Sequence, residues 1–109
     1  MEKKNDLNCV LMEGKIKGNV NFVAKKDEIS YCIFNVENEN KQDNLPFAQK
    51  SMFTVIAFES LADACKANLR NDQPVRLTGV LRANFFESEK GKSNVTFIMA
   101  QHVEIQKTK

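Results

Sequence analysis

The stretch Met52–Leu81, MFTVIAFESLADACKANLRNDQPVRLTGVL, decides the fold. At its start Phe53, Val55 and Ala57 alternate with Met52, Thr54, Ile56 and Phe58. This period-2 pattern predicts a strand that is largely apolar on both faces. Ser60 is a good helix N-cap, and Asp63 three residues on resembles a capping box. Leu61, Ala64, Cys65 and Leu69 then give one apolar stripe at helical spacing. Asn71 suits a left-handed C-cap, and Pro74 stops the helix from continuing. Alternation resumes with Val75, Leu77, Gly79 and Leu81 expected inward and Arg76, Thr78, Val80 and Arg82 outward. The local order is strand, short helix, strand.

Working outward, Asn8, Val10, Met12, Gly14 and Ile16 share one side of a first strand. Gly14 inside it suggests a bulge or sharp bend. Gly18 and Asn19 mark a bend, with the pattern resuming through Val20 and Phe22. Lys25–Glu28 reads as a turn. A second strand runs from Ile29 to about Glu37, with Cys32, Phe34 and Val36 on one face and Tyr31, Ile33 and Asn35 on the other. Asn38–Lys50 is polar, contains Pro46 and has no period, so a long mobile hairpin loop is expected. After the fourth strand, NFFESEKGKSN (84–94) reads as a charged hairpin tip turning at Gly91, with Phe85 and Phe86 on opposite sides. Val95–Ile105 is the last strand. Five strands with one helix between the third and fourth predict an all-β, five-stranded Greek-key barrel, the OB-fold. Residues 1–6 are read as a disordered N-terminus, 7–106 as the single domain and 107–109 as a short basic tail.

A chain of 109 residues is bounded to one domain. Its 16 Lys and Arg against 14 Asp and Glu leave a net charge of +2. The pI of 8.4 lies below the ~9 common in strong nucleic-acid binders, so any such binding rests on how the charges are distributed. Cys9, Cys32 and Cys65 are widely spaced with no CxxC, which argues against a zinc site. Cys32 and Cys65 sit among apolar neighbours as buried thiols, which suits a reducing compartment. No signal peptide or membrane span is read, and a cytoplasmic, nucleoid-associated protein is expected. His102 has no acid–nucleophile pair at motif spacing and is read as structural. Walker, dinucleotide, HExxH and GxSxG motifs are absent, so no enzyme, cofactor or metal is expected.

On four ordered segments the chain resembles the bacterial single-stranded DNA-binding protein (SSB) family, from about Asn8 to Ile105. NCVLMEGKI looks like that family's first strand and MFTVIAFESLADACKANL like its third strand and helix. QPVRLTGVLR looks like the fourth strand and AQHVEI like the closing one. The resemblance implies an OB barrel that usually assembles as a tetramer and wraps single-stranded DNA. Met52, Phe58 and Phe86 fall where the family places base-stacking aromatics. Phe58 and Phe86 keep a ring there; Met52 does not, and a fourth such position falls near Asn40. Stacking is worth about 1–3 kcal/mol per base, so two lost platforms would weaken binding considerably. Arg70 and Arg82 match commonly basic positions, whereas Cys9, Thr54, Ser60 and Asn71 are neutral where others are basic. The family usually ends in an acidic tip that recruits replication and repair proteins. This sequence ends at Lys109 on a basic note, implying either no such recruitment or a truncated chain.

The expected function is sequence-independent binding and protection of single-stranded DNA in replication, recombination and repair. Phe58, Phe86 and Tyr31 would stack on bases, with Met52 beside them. Lys15, Lys17, Arg76, Arg82, Lys90 and Lys92, on outer faces or hairpin tips, would contact phosphates; the bland reading of the same residues is a solvated surface. A homo-oligomer is expected because the third strand is apolar on both faces, and the resemblance implies a tetramer before a dimer. The alternative is an OB-fold module resembling primosomal replication protein N (PriB), a tailless dimer working mainly through protein partners in replication restart.

Overall fold

The structure, a computed structural model, describes residues 5–41, 44, 46–88 and 91–106; the side chains of 41, 48, 84–88 and 91–94 lie outside that description. The expected disorder of residues 1–4, the tail at 107–109 and Lys90 also fall outside the described residues. Six elements follow one another: β1 (Val10–Val23), β2 (Tyr31–Lys41), β3 (Ala48–Phe58), α1 (Glu59–Asn68), β4 (Pro74–Ser88) and β5 (Gly91–Ile105). The strands close into a barrel in the order β1-β2-β3-β5-β4. Neighbours are antiparallel except β3 and β5, which pair in parallel over Val55↔Ile98 and Ile56↔Met99. The expected OB-type barrel, with its one helix between the third and fourth strands, is the observed architecture.

Alternation fills the barrel. Ile16, Cys32, Phe34, Val36, Val55, Ala57, Val75, Leu77 and Ile98 point inward and are buried together. The helix adds Ala62, Cys65 and Leu69 to the same core. Burial raises the Cys65 thiol to about 11, with a smaller push from Cys32. Both buried thiols were expected from their apolar neighbours.

Several local expectations are corrected. Gly14 is not a bulge. Lys15↔Glu37 and Gly14↔Val75 are regular pairs, and a Cβ on Gly14 would run into the Glu37 carbonyl and a Val36 methyl. It is a site of close approach, where only hydrogen fits. The irregularity of β1 lies between Lys17 and Asn21, around Gly18 at φ 86°. There the turn after α1 is stitched on: Gly18 N donates to Asn71 Oδ1 at 2.8 Å, and Asp72 N donates to Ile16 O at 2.6 Å. Asn71 is therefore not the left-handed residue; Asp72 is, at φ 66°. α1 ends on an extended Leu69.

Ser60 does not cap α1. The helix begins at Glu59, which takes φ 58° directly after extended Phe58, and no side chain bonds the first turn. Glu59 N donates to Ser30 O at 2.9 Å, which pins this strand-to-helix corner to β2. The corner sets the phase of the helix, so Ala62 is buried and Ala64 exposed.

The two expected loops are mostly strand. β2 and β3 stay in register out to Lys41↔Ala48, through most of the polar stretch 38–50. β4 and β5 stay paired through Phe86↔Ser93 to Ser88↔Gly91, so Gly91 opens β5. Beyond Gly79, whose inner side meets the Met99 carbonyl, these two strands run past the barrel wall. Leu81, expected inward, consequently has no core opposite it and is 48% exposed.

Candidate nucleic-acid interface

The outer face of β1, β2 and β3 gathers side chains in cross-strand rows. Strand alternation that buries Cys32, Phe34 and Val36 turns Tyr31, Ile33, Asn35, Glu37 and Glu39 outward. Antiparallel register then lays β3 beside them: Tyr31↔Phe58, Ile33↔Ile56, Asn35↔Thr54, Glu37↔Met52 and Glu39↔Lys50. From the other side β1 contributes Val23 to the first row, Lys17 to the Asn35 row and Lys15 to the Glu37 row. The face thus grades from aromatic and aliphatic at the helix end, through a polar middle, to mixed charge.

At the aromatic end the Tyr31 and Phe58 rings lie 6.2 Å apart and tilted by 51°, within the range of favourable ring pairs. Phe58 is 37% exposed and Met52 55%, so each presents a free surface. In the middle, Thr54 Oγ1 donates to Asn35 Oδ1 at 3.2 Å. Beside the face, β3 and β5 splay apart past their short parallel pairing. A groove opens there, lined by Met52, Phe53, Thr54, Leu81, Thr96 and Phe97.

The basic residues are less free than their outward positions suggest. Lys17 Nζ sits 2.7 Å from Asp72 Oδ1, and this contact chiefly raises the lysine and lowers the carboxyl from their ordinary values. Arg76 donates from Nε and Nη2 to Glu13 Oε2 at 2.8 and 2.6 Å, and Gln106 Nε2 donates to the same oxygen at 3.0 Å. Those bonds hold Glu13 below the usual carboxylate range, Arg76 foremost. Arg76 therefore faces β1 across the β1–β4 pairing, one strand removed from the Tyr31–Phe58 row. Arg70 lies in the turn after α1, where its Nη1 donates to the Leu69 and Ala67 carbonyls at 2.9 and 3.3 Å. It closes the helix and is not on the sheet face.

Arg82 is exposed on β4, near the segment Asn5–Cys9. That segment is held by Asn8, whose amide donates to Leu81 O and accepts from Leu81 N, both at 2.8 Å. Phe86 and Lys92 have backbone positions in the β4–β5 hairpin, opposite Ser93 and Glu87. His102 is exposed on β5 opposite Thr78. So Lys15, Lys17, Tyr31, Met52 and Phe58 come together on one face, whereas Arg70, Arg76 and Arg82 lie elsewhere. The sequence reading placed Asn35 with Tyr31 and Ile56 with Phe58 without counting either as an interface residue, and it missed Glu37 and Lys50 on that face. Their signal was present as parity: each lies an even number of residues from Tyr31 or Phe58 along its own strand.

Among the described residues no group of His, Cys, Asp and Glu is arranged to hold a metal, and no helix is long and apolar enough to cross a membrane. A small closed barrel carrying an aromatic, partly basic outer sheet is the architecture of OB-fold nucleic-acid-binding proteins. The single-strand binding protein family matches residues 7–106, and the chain belongs to that family. Among solved structures it is similar to an SSB of Plasmodium falciparum in complex with single-stranded DNA. That likeness has a TM-score of 0.81 at 12% identity and covers 97% of this chain and 100% of the other. No curated protein matches the chain.

Proposed function

We propose that the protein binds and protects single-stranded DNA without regard to sequence, as a homo-oligomer, in replication, recombination and repair. Family membership carries the single-strand binding itself. The observation that carries the mechanism is the Tyr31–Phe58 ring pair, set on a sheet whose next row is Ile33↔Ile56. Rings and aliphatic rows accept the π-face of any base, which favours sequence tolerance. Lys15, Lys17 and Lys50 flank the rows within reach of phosphates, and Phe86 and Lys92 join them from the β4–β5 hairpin. Arg82, exposed on β4, extends the basic contacts, with Lys90 proposed on the sequence reading alone. Arg70 and Arg76, engaged with helix carbonyls and with Glu13, are the weakest members of the expected set.

The experiment is a titration of fluorescent oligo-dT of graded length in low and moderate salt, with duplex DNA as control. Submicromolar, salt-sensitive, single-strand-selective binding is expected, together with a sedimentation mass above that of one chain. No binding at low salt overturns the strand-coating role. Weak binding by a dimer would favour the PriB-like reading, for which the charge-balanced face is the supporting observation.

A further inference from the structure

The row Lys15–Glu37–Met52 places a carboxylate between a cation and an exposed thioether, at the position where the family resemblance implies a stacked base. Directly opposed residues on one face of a sheet bring their Cβ atoms to about 4.5–5.5 Å. The Glu37 carboxylate therefore stands beside Met52, in reach of the edge of a base laid there. Glu37 is half-buried and lines an open groove with Lys15, Lys17, Glu39 and Lys50. It stands toward the mixed-charge end of the face, away from the Tyr31–Phe58 pair.

An ionised carboxylate only accepts hydrogen bonds. Set against the C4 substituent of a pyrimidine or the C6 substituent of a purine, it is matched by the amino group of cytosine or adenine and meets the carbonyl of uracil, thymine or guanine with like partial charge. Lys15, next to Glu37 on β1, is placed to take the phosphate of that nucleotide while Glu37 meets its base. The two neighbouring rows lack this arrangement. Asn35 and Thr54 bond each other, and Glu39 stands opposite Lys50.

We propose that Glu37 gives this face a preference for cytosine and adenine, the bases with an amino group at C4 or C6, at the Met52 position, superimposed on sequence-tolerant stacking elsewhere. The inference rests on the single-stranded DNA reading and adds a discriminating residue to it.

The test compares oligo-dC with oligo-dU of equal, short length on the full chain by fluorescence anisotropy. The two pyrimidines stack on similar areas and differ at C4 and N3, with no methyl group to confuse the comparison. Oligo-dC is expected to bind about tenfold tighter. In Glu37→Gln, whose amide both donates and accepts, the ratio should fall to near one, chiefly through tighter dU binding. Lys15→Gln should weaken both oligomers alike and keep the ratio, which separates the base contact from the phosphate contact. Equal binding of dC and dU by the natural chain, or a preference that survives Glu37→Gln with the thermal midpoint unchanged, overturns the role of Glu37 alone. Failure to bind either oligomer overturns the single-strand reading and this inference with it.

Discussion

Tyr31 is the one tyrosine of a chain without tryptophan, and it lies against Phe58 on the outer sheet. Its emission therefore reports on that ring pair and nothing else. Binding of oligo-dT is expected to quench it. Phe58→Ala should weaken binding by about tenfold, within the 1–3 kcal/mol that one stacked base is worth, and should blunt the quench. Unchanged tyrosine emission on saturation would place the bases off this face. The thiols give a second residue-scale prediction. Cys9 is exposed, while Cys32 and Cys65 are buried, and the Cys65 thiol is raised from 9.0 to about 11. Cys9 alone should react promptly with a thiol reagent in the folded protein. A thiol raised in the folded state is neutral in both states below pH 9, so its contribution to stability is complete there. Above that pH the unfolded chain ionises first, and stability drains as pH climbs toward 11. Denaturation midpoints measured from pH 8 to 11 should fall over this window, and less so in Cys65→Ala.

The corner between β3 and α1 shows what elements add to residues. Glu59 at φ 58° holds a conformation that costs a side-chain-bearing residue about 1–2 kcal/mol. Glu59→Gly should raise stability by a net ~0.5–1 kcal/mol after the loss of a favourable carboxylate in the first helical turn, read as a higher urea midpoint. The sequence pattern led to Ser60 as the cap because capping rules assume that a helix starts from a loop. Here it starts from a strand that folds back on itself, and the Glu59–Ser30 backbone bond replaces the cap. Where one face of a strand was buried, as at Cys32–Val36 or Val75–Gly79, alternation revealed it correctly. The hairpin extensions at 38–41, 48–51, 84–88 and 91–94 escaped notice because a two-stranded ribbon that has left the barrel core requires no apolar period. The interface was legible as far as parity reached. Its ion pairs were not, since Glu13 and Arg76 are 63 residues apart and meet only through the β1–β4 register.

For the whole molecule the decisive property is how positive charge is spent. Lys17 faces Asp72, Arg76 faces Glu13, Lys15 stands beside Glu37 and Lys50 beside Glu39. Phosphates must displace or outbid these carboxylates, so the salt dependence of binding should be shallower than the ~0.7 per contact that unpaired cations would each contribute. The double variant Glu13→Gln, Asp72→Asn frees two cations and should steepen the log–log slope toward that value, measured from 50 to 300 mM salt in the same anisotropy titration. An unaltered slope would mean that Arg76 and Lys17 take no part in binding.

The short parallel pairing of β3 with β5 has a mechanical side. Two residue pairs close the barrel, and on one side of them the β2–β3 and β4–β5 ribbons lead away as a pair of jaws. Each jaw is stiffened along its length by its own ladder. Across the gap, the β3–β5 ladder is limited to those two pairs among the described residues, and side chains such as Met52, Leu81 and Phe97 line the opening. A gap lined by side chains has compliance that a hydrogen-bonded ladder does not.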